Sequence, residues 1–125
     1  MKPYVLLGVL AVVLAMLPAE RQARADFADA IEAYDGGDYA AAFEESLEAA
    51  KQGDADAQYM AGFLYMRGQG VRHDLPAAYQ WFSLAARQGD SYAADDLDGL
   101  AARMSAEQIS QAETWAREWT PMAVD

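Results

Sequence analysis

Apolar residues fall in two regimes along this chain. From Tyr4 to Leu17 they form an almost unbroken run of fourteen positions. From Asp26 onward they recur with a helical period of about 3.6 residues, amid abundant alanine and few β-branched side chains. Glycine and proline stand between the periodic stretches and divide them. The pattern predicts a first helix over Asp26 to Tyr34, stopped by Gly36-Gly37. A second follows an Asp38 cap and runs to about Lys51, with Gly53 beyond it. Asp54 caps a third through Met66, and Arg67-Gly68-Gln69-Gly70-Val71 makes the next loop. Asp74, with Pro76 in the first turn, opens a fourth that reaches about Gln88 before Gly89. Asp90 to Arg103 forms a fifth, and the capping-box sequence Ser105-Ala106-Glu107-Gln108 starts a sixth that ends near Trp119. The expectation is all-α: six helices in three antiparallel pairs.

The helices repeat. Ala49-Ala50-Lys51-Gln52-Gly53-Asp54 returns as Ala85-Ala86-Arg87-Gln88-Gly89-Asp90, thirty-six positions later. The same offset carries Asp38 onto Asp74, Ala41-Ala42 onto Ala77-Ala78, and Leu64 onto Leu100. A fixed period of this size marks stacked units that cannot bury their apolar faces alone, hence a short α-solenoid.

The fourteen-residue apolar run is shorter than the roughly twenty residues a membrane-spanning helix needs. Lys2 precedes it, Pro18 and Glu20 break it, and Ala23-Arg24-Ala25 fits the small-x-small rule of signal peptidase. Residues 1–25 therefore read as a cleaved signal peptide, with cleavage before Asp26, and the uncleaved-anchor reading stands as its alternative. The expected localisation is periplasmic or secreted, with membrane contact only through the signal segment. Residues 26–120 would form the repeat domain and 121–125 a tail.

Charge and cysteine content narrow the picture further. The chain has no cysteine, so helix packing alone must stabilise it in an oxidising compartment. After removal of residues 1–25, six basic residues face nineteen acidic ones, a formal charge of −13. Such a surface repels phosphate backbones and anionic lipids, which excludes nucleic acid as a favoured partner and leaves a basic protein open.

The unit Ala55 to Gly89 shows Ala57, Gly62, Leu64-Tyr65, Gly68-x-Gly70-Val71, Asp74, Ala78, Trp81-Phe82, Ala85-Ala86 and Gln88-Gly89. At these spacings it resembles the Sel1-like repeat family, a branch of the tetratricopeptide-like α-solenoids. Ala61 departs from the pattern, which has leucine there, and the preceding unit has a shorter loop at Asp35-Gly36-Gly37-Asp38-Tyr39. The resemblance implies a non-catalytic scaffold that binds proteins or peptides. Physically, Ala57, Ala78, Ala85 and Ala86 are small where helices approach, while Leu64, Tyr65, Trp81 and Phe82 fill the spaces between. Gly68 and Gly70 permit a positive φ in the loop.

Candidate chemistry is sparse. His73 is the only histidine and lies beside the Asp74 cap, so no zinc set or His-dependent triad is visible and no cofactor is expected. Asp90, Asp95, Asp96 and Asp98-Gly99 suggest a calcium loop, but its first and last ligand positions would be Ala94 and Ser105. Gly68-Gln69-Gly70 lacks the lysine and helix context of a phosphate loop.

The candidate binding site is a second apolar stripe: Tyr59, Phe63 and Met66 share one helical face, flanked by Gln58, Asp95 and Asp96. Two fates are open to it, packing against neighbouring helices or lining a concave groove that takes a peptide. Trp115 and Trp119 pose the same choice at the end of the array. Two other classes of function compete with groove binding: a small carboxylate-dependent envelope hydrolase, and a structural subunit with weak self-association through an open solenoid end.

Overall fold

The computed structural model describes residues 18–122. The apolar run at residues 1–17 and the last residues of the expected tail, 123–125, lie outside them. Six helices and no strand occur among the described residues: α1 (Pro18–Asp35), α2 (Tyr39–Lys51), α3 (Ala55–Arg67), α4 (Leu75–Arg87), α5 (Ser91–Ala101) and α6 (Ala106–Glu118). No helix among them is long and apolar enough to cross a membrane.

Local chemistry explains the boundaries. Helix N-termini leave unpaired backbone N–H groups, and an oxygen side chain at the cap accepts from one of them. Asp38 accepts from Ala41 N–H (3.1 Å), Asp54 from Ala57 (2.9 Å), Asp74 from Ala77 (3.0 Å) and Asp90 from Ala93 (3.0 Å). Ser105 and Gln108 complete a reciprocal capping box at α6. All five caps stand where the sequence places them, and four keep the thirty-six-residue offset in two pairs. Gly70 has φ +72°, and a Cβ there would fall on the Tyr39 carbonyl. The loop after α3 therefore lies directly against the start of α2.

The first pair, α1 with α2, and the second, α3 with α4, are close-packed hairpins, and α2 rests on α3. The third pair is more open, because α5 and α6 both lean on α4. Two cores result. One joins the first two pairs through Ala23, Ala49, Ala50, Ala57, Ala61, Trp81 and Leu84, with Ala116 from α6. The other joins α4 to the third pair through Ala78, Tyr79, Phe82, Ala85, Ala93, Leu100 and Ala112. Alanine at so many contact points lets the backbones approach closely, and a few large side chains fill the remaining space. Trp115 and Trp119 belong to this packing: their rings meet Trp81 edge-on at 5.3 and 6.4 Å. They seal the end of the array.

Two long-range features were not foreseen. First, α1 begins at Pro18, eight residues before the expected Asp26. Ala23 is 2% exposed within the first core, and the Arg24 guanidinium pairs with Asp54 (3.3 Å) and Asp56 (2.8 Å). Second, the segment after α6 turns back across the molecule. Met122 N–H donates to the Lys51 carbonyl (2.8 Å), and Pro121 lies against Gly53. The last pair is thereby tied to the first.

Candidate partner-binding groove

The odd-numbered helices share one side of the solenoid, and aromatic side chains collect there. Phe27 and Tyr34 come from α1, Tyr59, Met60 and Phe63 from α3, and Tyr92 from α5, with Asp56 and Asp90 between them. They line an open cavity of about 360 Å³. Its floor is a chain of rings. Tyr59 stacks on Phe63 at 6.4 Å and leans on buried Phe82 at 5.3 Å. Tyr34 meets Phe63 edge-on at 6.4 Å, and Tyr92 lies 6.3 Å from Tyr59 while remaining 71% exposed. Arg67 places its guanidinium over the outer face of this array, 5.4 Å from the Phe63 centroid.

The side chains expected at the site divide. Tyr59 and Phe63 are half-buried, so both fates weighed for the stripe are realised at once: their inner faces pack on the second core and they also line the cavity. Met66 is half-buried against that core and takes no part in the cavity wall, where Met60 stands instead. Met60, six residues earlier on α3, lines the cavity together with Phe27 and Tyr34 of α1. Gln58 is a correction. It is wholly buried, donates to the Ala50 carbonyl (3.2 Å) and accepts from the Gln88 amide (2.9 Å). Its amide joins successive units as a satisfied buried polar group and meets no partner. Asp96 reaches the groove through Tyr59, whose hydroxyl donates to it (3.1 Å), whereas Asp95 is exposed and outside the cavity lining.

The Tyr59 hydroxyl is pushed up to about 12 by burial first, then by its bond to Asp96 and the neighbouring negative charges. Burial likewise raises Tyr65 and Tyr79. A phenol with a folded-state pKa above its unfolded value near 10.0 contributes stability that is complete below that pH. That contribution is lost as pH climbs toward 12. Thermal melts across the alkaline range should show this loss, and Tyr59→Phe should flatten it.

A larger cleft of about 710 Å³ opens at the start of α1, lined by Arg24, Gln52, Gly53, Asp54, Gln88 and Pro121 among others. Most of its polar groups already serve the fold, the buried Gln52 Oε1, which has no hydrogen-bond partner, being the exception. Arg24 holds Asp54 and Asp56, Gln52 donates to Asp26, and Gln88 donates to Gly53 and Gln58. The smaller groove presents unsatisfied apolar surface and is the better binding candidate.

Elsewhere, the carboxylates of Asp26, Asp29 and Glu45 converge within 4.8 Å of one another across α1 and α2. Partial burial, then the charges of Asp29 and Asp26, raises the Glu45 pKa. His73 is exposed in its loop.

Residues 55–90, which comprise α3, α4 and the loop between them, match the family described as Sel1 repeat. That stretch is similar to one unit of a Sel1 repeat array. The all-helical architecture around it fits a Sel1-like, tetratricopeptide-like repeat protein. No curated protein matches the chain. Sel1 repeats generally mediate protein–protein interaction, and the family is typically non-catalytic. In the matched segment the first helix supplies the centre of the aromatic groove, and the second supplies Phe82 beneath it.

Proposed function

We propose that this protein is an exported, non-catalytic module that holds a protein or peptide partner in the aromatic groove, in the periplasm or outside the cell. The observation that carries the reading is the run of rings from Tyr34 through Phe63 and Tyr59 to Tyr92, spanning all three helix pairs. Aromatic side chains supply large contact areas at small entropic cost, and exposed clusters of them are hallmarks of binding surfaces. A monomer gains nothing from leaving Tyr92 71% exposed beside a second tyrosine. Export is supported by the basic residue Lys2 followed by the fourteen-residue apolar run from Tyr4 to Leu17.

Site-specific photocrosslinking in the native cell tests this. A photoreactive residue at Tyr92 should capture a discrete protein, and one at exposed Glu107 on α6 should not. Equal labelling from both positions, or none from Tyr92, would remove the groove from consideration. Fractionation of the same cells checks export, and recovery of the chain only in the cytoplasm would overturn that half.

A further inference from the structure

We infer that the groove receives a basic segment of its partner, with arginine or lysine side chains lying on the aromatic floor beside the Asp90 and Asp96 carboxylates. This rests on the groove reading above and adds the chemistry of the occupant. The first observation is the charge of the walls. Of the residues lining the cavity, Asp56 and Asp90 are acidic and none is basic. Asp96 adds a further carboxylate at the Tyr59 hydroxyl. Asp56 already pairs with Arg24, so Asp90 and Asp96 are the charges that would repel an acidic occupant and attract a basic one.

The second observation is that guanidinium groups already make both kinds of contact within the molecule. Arg67 lies over the Phe63 ring at 5.4 Å, and Arg24 pairs with Asp56 on the cavity wall at 2.8 Å. The groove therefore accepts a cation on a ring face and a cation on a carboxylate. The Tyr59 and Tyr92 rings at the α5 side offer the same ring chemistry. Asp90 accepts from Ala93 N–H through one oxygen and Asp96 from the Tyr59 hydroxyl through one, which leaves each carboxylate further acceptor positions. A planar guanidinium can stack on a ring and pair with a carboxylate together, so arginine suits the site better than lysine.

The test uses the full chain and three amphipathic model peptides that share one leucine face and carry arginine, glutamine or glutamate on the other. Binding is followed by fluorescence anisotropy. The arginine peptide is expected to bind roughly tenfold more tightly than the glutamine peptide, with affinity falling as salt rises. The glutamate peptide should not bind. Asp90→Asn with Asp96→Asn keeps the cap and the tyrosine contact but removes two charges. It should weaken the arginine peptide by about threefold to tenfold. Tyr92→Ala, at a mostly exposed position, should weaken both binding peptides without affecting the fold.

Equal affinity for the arginine and glutamine peptides, with Tyr92→Ala still weakening both, would overturn the basic occupant and leave the groove standing. Arginine-peptide binding that ignores Tyr92→Ala and Phe63→Ala would place the contact elsewhere on the acidic surface, and both readings would fall. Both would also fall if no peptide bound. A dimer by light scattering that Tyr92→Ala abolishes would identify a second copy of the chain as the occupant and overturn the proposal.

Discussion

Phe82→Ala is expected to destabilise the protein by about 3–5 kcal/mol, the range for emptying a fully buried phenylalanine site. Phe82 is 0% exposed and lies in the second core between α3, α4 and the third pair. Its ring occupies space that only Gly62 leaves free. A Cβ on Gly62 would lie 2.7 Å from Phe82 Cδ1, closer than real side chains approach. The same added Cβ would meet the Ala78 carbonyl at 3.2 Å, so the α3 and α4 backbones are already near contact and cannot close in on a void. Domains of this size are stable by roughly 5–15 kcal/mol in total, so the loss is a large share. A thermal melt should show a Tm lower by roughly 15 °C or more. Gly62→Ala should also destabilise, by forcing the ring aside. Combined with Phe82→Ala it should cost less than the sum, because the new methyl enters the vacated space. Strict additivity, or a Tm unchanged within a few degrees, would show that the two residues do not share one packing site. The effect reaches the groove as well, since Tyr59 rests on Phe82. Phe82→Ala should therefore weaken partner binding even where the chain still folds.

Sequence reasoning succeeded where the governing physics is local. A cap needs one oxygen side chain three residues before a free N–H, so Asp38, Asp54, Asp74, Asp90 and Ser105 could be read directly. Gly68 and Gly70 have the positive φ values their loop spacing implied. It was weaker where a residue's role depends on a distant neighbour. Gln58 adjoins Tyr59 in sequence, yet consecutive helical residues point about 100° apart, which turns its amide into the interior. Its partner Gln88 lies thirty positions away. Met60 replaces Met66 in the cavity wall because α1 sets where the groove runs, and no pattern within α3 alone fixes that. The bond from Tyr59 to Asp96 and the meeting of Asp26, Asp29 and Glu45 likewise follow only from how the pairs stack.

The start of the domain gives the second large effect. A chain beginning at Asp26 is expected to melt roughly 10 °C or more below one beginning at Pro18. The small-x-small sequence Ala23-Arg24-Ala25 has the form of a peptidase site, but a small residue is also what close helix packing selects. Ala23 is 2% exposed among Ala49, Ala50, Ala57 and Ala61, so cutting after Ala25 would open the first core to water. Several apolar contacts would be lost at about 25 cal/mol for each Å² uncovered. Arg24 would leave with it, and Asp54, whose side chain is 4% exposed, would keep its charge without the neighbouring guanidinium. Arg24 is 65% exposed and Asp54 keeps its bond from Ala57 N–H, so loss of the ion pair should cost little and burial of Ala23 should dominate. Replacing Ala23 by aspartate in the longer chain isolates that term and should reproduce most of the loss, whereas Arg24→Gln should reproduce little. On this reasoning any processing of the chain leaves Ala23 in place, and the intact mass of the protein purified from its native cell should place the N-terminus upstream of that residue. Equal melting of the two chains, together with a mature protein that starts at Asp26, would show that the first two turns of α1 are dispensable.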